Sequence, residues 1–114
     1  MAYSHRMDDI QPATAITDLA AELVIPKDGT LSRVLFKDDD IRLVLFGFDT
    51  GQELTEHTAS MPALLQIISG QARLELGEDT VTVGPGSWVH MPAHLPHSVL
   101  AEEPTVLLLT LIRK

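Results

Sequence analysis

Four of the five histidines are candidates for chemistry: His57 stands alone, His90, His94 and His97 share one short window, and His5 lies near the N-terminus. Imidazole is a common transition-metal ligand and titrates near neutral pH, so such a cluster points to a metal centre or to acid–base work. The chain has no cysteine. That removes thiolate metal sites, disulfides, redox dithiols and cysteine nucleophiles, and any metal must be held by histidine or oxygen. Ser60, Ser87 and Ser98 have no G-x-S-x-G context, and no Gly-rich phosphate loop or paired carboxylates are readable. Glu53 has the strand parity of His57, but four extended residues separate them by about 13 Å, too far to share an ion. It reads as a rim group. His90 has the parity of Trp88, and Val89 that of Met91, and only one of these pairs can face an interior. Trp88, with Met61 and Met91, is a candidate lining for an apolar ligand cavity, and the turn Pro92-Ala93-His94-Leu95-Pro96 places His94 at a solvent-facing mouth.

Those side chains need a scaffold, and 114 residues with 45% hydrophobic content supply one ordinary core. Residues 1–12 show no period and read as an N-terminal arm, and residues 13–114 as a single domain. Sixteen Asp plus Glu against eight Lys plus Arg give a formal charge of −8. Such a field repels phosphate backbones and anionic lipid, which excludes nucleic acid and membrane surface as partners. No stretch approaches the roughly 18 apolar residues of a membrane helix, and the first residues lack a basic region followed by an apolar run. The expectation is a cytoplasmic protein.

From Thr14 to Leu23 the apolar residues Ile16, Leu19, Ala20 and Leu23 recur at helical spacing, with Thr14 or Thr17 as N-cap and Pro26 beyond the end, so one short helix is predicted. After Gly29 the pattern is all-β. Predicted strands cover 31–37, 41–48, 53–58, 63–69, 72–76, 80–83, 87–91, 97–101 and 105–112, separated by turn residues such as Asp49-Thr50-Gly51, Gly77-Glu78-Asp79 and Gly84-Pro85-Gly86. Nine short strands at this spacing mean a sandwich or a barrel. Runs such as Ile41-Arg42-Leu43-Val44-Leu45-Phe46 and Val106-Leu107-Leu108-Leu109 are apolar on both faces, so one face fills the interior and the other needs a cover. The helix covers one patch and a second copy the rest, which predicts a homodimer.

Over residues 30 to 112 the chain resembles the cupin superfamily. Gly51, His57 and Gly70 fall at the spacing of the first cupin motif, and Gly86, Pro92 and His97 at that of the second. Ala59 and Ala63 stand where the first motif has its second histidine and its glutamate. His94 stands where the second motif has glycine, and Ala101 where it has asparagine. The resemblance implies a double-stranded β-helix, the jelly-roll or RmlC-like cupin barrel, with the short helix at its N-terminal side. It also implies a divalent metal (Fe, Mn, Ni or Zn) held inside the barrel at the positions of His57 and His97, with His90 as a candidate third donor. The fold hosts many reactions and assigns none.

Two readings remain open at the level of sequence. One is a cupin that binds a small molecule in a pocket of His57, His97, His90, Trp88 and Met61 and acts through the metal as an oxygenase, isomerase or lyase. The other is a metal-free ligand-binding or sensing cupin without catalysis, for which Ala59 and Ala63 speak.

Overall fold

In the computed structural model, which describes residues 9–113, nine strands follow the 3-10 turn Leu19–Glu22. The strands are β1 (Thr30–Lys37), β2 (Ile41–Phe48), β3 (Glu53–His57), β4 (Ala63–Ser69), β5 (Ala72–Leu76), β6 (Asp79–Val83), β7 (Trp88–Met91), β8 (His97–Ala101) and β9 (Thr105–Ile112). They form two antiparallel sheets, one in the order β1-β2-β9-β4-β7 and the other β3-β8-β5-β6. This is the jelly-roll arrangement expected. The chain changes sheet at every connection except the hairpins β1–β2 and β5–β6. No helix among the described residues is long and apolar enough to cross a membrane.

The two sheets differ in the way their sequences foretell. In the smaller sheet β5 alternates, with Ala72 and Leu74 buried and Arg73 and Glu75 exposed, and β8 likewise buries His97, Val99 and Ala101. Period-two alternation of this kind marks a sheet with one face on the core and one in solvent. In the larger sheet β2 and β9 bury residues on both faces. Their inner residues, Phe48 and Leu107 among them, join Leu65, Leu74 and Val99 in the main core, whereas Leu45, Val106 and Leu108 form a second cluster with Leu23 on the outer face.

The predicted helix over 14–23 shrinks to one 3-10 turn, Leu19–Glu22. An isolated helix of ten residues is marginal in water, so tertiary contacts decide its fate. Here the N-cap Asp18 makes no capping hydrogen bond, and Leu23 is already extended, at φ −155°. Extending the backbone lets Leu19, Leu23 and Ile25 each reach the outer cluster. Leu23 lies over Gly47, where a Cβ would come within 2.3 Å of its Cδ2. Of the predicted arm, residues 1–8 lie outside the described residues, and Ile10 to Ala15 are exposed.

The start of β1 is fastened to the end of β2 by Asp49. Its two carboxylate oxygens accept hydrogen bonds from the backbone N–H of Asp28 (2.7 Å) and of Thr50 (2.8 Å). These donors, with Lys27 nearby, hold the carboxyl below its ordinary range.

Candidate functional site

The site forms at the end of the barrel where β3 stops and β8 starts. His57 and His97 are direct cross-strand partners. On β8, His97 and Val99 point inward, and on β3 Leu54 pairs with Val99. Two residues, Thr55 and Glu56, therefore stand on β3 where β8 has only Ser98, and this bulge shifts the register between Leu54 and His57. In an unbulged strand Glu56 would oppose His97. The bulge also overturns the parity expected for Glu53: that residue pairs with Leu100 and is exposed, whereas His57 faces the barrel.

The two rings meet edge to face, with centroids 4.1 Å apart and planes at 61°. His97 is buried, at 8% exposure, and His57 sits at the solvent side. Each ring is held by a carbonyl two residues earlier in the chain: His57 Nδ1 lies 2.9 Å from the oxygen of Thr55, and His97 Nδ1 lies 2.9 Å from that of Leu95. A carbonyl oxygen only accepts, so Nδ1 carries the proton in both rings and Nε2 is the remaining polar atom of each. In the neutral ring that atom accepts a hydrogen bond or binds a cation; protonated, it donates.

Between the rings and the sheets lies a small cavity of about 60 Å³, lined by both histidines and otherwise by apolar side chains. Phe46 and Phe48, stacked at 5.8 Å on β2, form one wall, and Leu54, Leu65, Met91 and Val99 contribute to the others. The wall residues recur at period two on β2 (46, 48) and on β9 (107, 109). That recurrence was the readable signal for them, and the apolarity of both faces of these strands hid it.

The other predicted site residues fall elsewhere. Met91 is buried and lines the cavity, which settles the parity of β7: Val89 packs toward the core, and Trp88 and His90 point outward. Trp88 is 60% exposed, and its ring lies nearly parallel to that of His90, with centroids 6.5 Å apart. Neither can reach His57 or His97 across the sheet, so His90 supplies no third donor and Trp88 no cavity wall. Met61 is half-buried in the loop between β3 and β4 and is not among the lining residues. Ala59 lies in that same loop, past the end of β3, where its carbonyl accepts a 2.7 Å hydrogen bond from the His94 N–H. This bond ties the two loops that frame the mouth.

His94 itself is exposed, with φ at +70°. A side chain in the left-handed region costs about 1 kcal/mol, and glycine avoids that strain. His94→Gly should therefore raise the urea midpoint, by up to about 1 kcal/mol in stability, and leave the His57–His97 pair in place. A lower midpoint would show that the imidazole makes stabilising contacts.

A model of the cupin domain matches residues 44–112. The chain belongs to the cupin family. A conserved protein of unknown function from Streptococcus pyogenes is 32% identical to this cupin, with a TM-score of 0.80 over 100% of this chain and 96% of that one. A cupin superfamily protein from Desulfitobacterium hafniense shares 21% identity at a TM-score of 0.81, covering 90% of this chain and 94% of its own. The DMSP lyase DddQ from Ruegeria pomeroyi, 19% identical with a TM-score of 0.69 over 75% of this chain and 48% of that chain, shares the fold. No curated protein matches the sequence.

Cupins often bind metals, and the donor set here can be tested against that habit. Catalytic zinc takes three protein ligands, and non-haem iron takes two histidines and a carboxylate. Among the described residues no group of three or more His, Cys, Asp or Glu is placed to hold an ion. Ala63, at the start of β4, is buried opposite Met91. A methyl and a thioether thus fill the place at which the motif would supply its carboxylate. The side chains of this barrel do not fit a resident divalent metal with three protein ligands.

Proposed function

We propose that this cupin is a small-molecule-binding protein whose His57–His97 pair contacts the ligand directly. The observation that supports the reading is the pairing of two Nε2 atoms with an otherwise apolar cavity that offers no third donor. Such a site takes a ligand with one compact polar group, a hydroxyl or a carboxyl, on an apolar body. Buried polar groups in an apolar cavity fix orientation and give specificity, because a ligand lacking the matching atom leaves them unpaired. The cavity of about 60 Å³ admits only the polar end and a few carbons. The rest of the ligand lies at the mouth, between the 58–62 and 92–96 loops.

Two measurements test this reading. Elemental analysis of protein purified without chelator or metal-affinity resin should find no stoichiometric Fe, Mn, Ni or Zn. Titration with propionate and propanol, followed by the NMR signals of the imidazoles, should shift those of His57 and His97 and leave His90 unmoved. Stoichiometric metal that disappears in a His57→Ala plus His97→Ala variant would replace this reading with the metal-dependent one.

A further inference from the structure

His94 is the one histidine of the 90–97 window that neither the cavity nor the sheets employ. It stands third in the turn Pro92-Ala93-His94-Leu95, which the Leu95 N–H closes on the Pro92 carbonyl at 3.3 Å, and its φ is +70°. A positive φ at that position belongs to a type II turn, where glycine or asparagine sits without strain. The turn has no freedom to relax. The His94 N–H bonds the Ala59 carbonyl at 2.7 Å, the Pro96 carbonyl accepts from the Gly77 N–H at 2.8 Å, and the Leu95 carbonyl holds His97 Nδ1 at 2.9 Å. A residue held in a sparsely populated conformation by surroundings that over-determine it is characteristic of ligand-contacting positions. Asp28, the other non-glycine residue with positive φ among those described, has its N–H bonded to Asp49. In His94 the backbone bond would survive replacement by glycine, so only the imidazole itself can account for a histidine there. That imidazole is exposed and has no hydrogen-bond partner among the described residues.

Its place in the fold says what it can meet. The cavity of about 60 Å³ takes the polar end of a ligand and a few carbons, and the remainder lies between the 58–62 and 92–96 loops. These loops contain no Asp, Glu, Lys or Arg, and their polar side chains are Thr58, Ser60 and His94. Of the three, imidazole reaches furthest and can both donate and accept. It also stands three residues before His97 on a fixed backbone, so its distance from the inner pair is set by the fold. A second carboxylate at this mouth would find no Lys or Arg in either loop, within a chain of formal charge −8 whose β3 carries Glu53 and Glu56 exposed beside it. A hydroxyl meets no such repulsion.

We infer that His94 is a specificity-determining residue that reads a hydroxyl at the outer end of the ligand, which makes the ligand class a short aliphatic chain with an oxygen group at each end. The inner hydroxyl or carboxyl lies on the His57–His97 pair, and this inference rests on that reading of the pair. Calorimetric titration with γ-hydroxybutyrate, δ-hydroxyvalerate and ε-hydroxycaproate, each against its parent acid butyrate, valerate or caproate, tests it. At the chain length that spans the two sites the hydroxy acid should bind about 3- to 10-fold tighter than its parent, the effect of one added hydrogen bond. The NMR signals of the His94 imidazole should then move with the hydroxy acid and not with the parent, whereas those of His57 and His97 move with both. In His94→Gly the ratio should fall to unity even as the urea midpoint rises, a split that a merely structural histidine would not produce. His94→Asn, which tolerates the left-handed backbone and keeps a donor and an acceptor, should retain part of the ratio. His90→Gln, on the outer face of β7, should leave the ratio at its wild-type value. Hydroxy acids that shift His57 and His97 yet bind no tighter than their parents at any length overturn the inference and leave the reading of the pair standing, as does a ratio that survives in His94→Gly. Acids that shift neither His57 nor His97 overturn both.

Discussion

Gly70→Ala is expected to lower the stability of this cupin by about 4 kcal/mol, the sum of ordinary backbone strain and overpacking. For a domain of this size that is a fall of roughly 20 °C in Tm. Gly70 sits at the corner where the chain leaves β4 of the larger sheet for β5 of the smaller one. The return crossing from β8 to β9 runs directly beside it. Thr105, fully buried, donates its hydroxyl there toward the carbonyls of Gln71 (3.1 Å) and Glu103 (2.8 Å), and the Glu102 N–H bonds the Gln71 carbonyl at 2.9 Å. A Cβ on Gly70 would lie 2.1 Å from the Pro104 carbonyl oxygen and 2.7 Å from the Thr105 Cα, both backbone atoms that a rotamer change cannot move. Its φ of +87° adds the strain of a left-handed backbone. Gly86→Ala separates the two contributions, because Gly86 has a φ of +91° and nothing within 4 Å of its Cβ position. That variant should lose only about 1–2 kcal/mol, the backbone part. Urea denaturation of the two proteins checks the difference, and equal losses would show that the corner yields without cost.

The fold was legible because each strand is short, bounded by turn residues and supported by the two motifs. β2, β4, β5, β8 and β9 have the predicted limits, and the others differ by one residue at one end. The helix was misread because a ten-residue apolar period is satisfied equally well by an extended segment that drops Leu19, Leu23 and Ile25 separately onto a sheet. Spacing alone does not distinguish those outcomes when the helix is too short to hold itself. At the site, spacing brought His57 and His97 together correctly, since both motifs locate them. It failed wherever parity mattered. Counting in twos from Glu53 assumes an unbroken strand, and the extra residue between Leu54 and His57 breaks it. For β7 the sequence permits either face inward, because Val89 with Met91 and Trp88 with His90 are each plausible interior pairs. The choice is made by the cross-strand neighbours Ala63 and Leu65 on β4, which point to the core and carry Met91 and Val89 with them.

His97→Ala is expected to change what the cavity accepts rather than merely to weaken it. His97 is the buried member of the pair, and its ring lines the cavity beside that of His57. Removing it deletes one of the two polar atoms in an otherwise apolar lining. It also enlarges the present 60 Å³ toward the ~150 Å³ at which an apolar cavity stays dry and takes up benzene. Propionate or propanol should bind about 10- to 100-fold more weakly, the effect of leaving one polar contact unmade in a dry site. Benzene, which the wild-type cavity is too small to hold, should bind the variant measurably. His57→Ala makes the necessary contrast, for His57 is solvent-facing and its loss widens the opening without adding enclosed apolar volume. That variant should lose affinity for the polar probes and gain none for benzene. Calorimetric titration of the two variants with both kinds of probe reads this crossover, with thermal unfolding as a check that each still folds. Polar probes that bind both variants as they bind the wild type would remove the histidine pair from ligand recognition. Loss of the polar probes in His97→Ala with no gain of benzene would mean that His97 acts by holding the cavity's shape, because a ring that is removed without collapse leaves apolar space that benzene can fill.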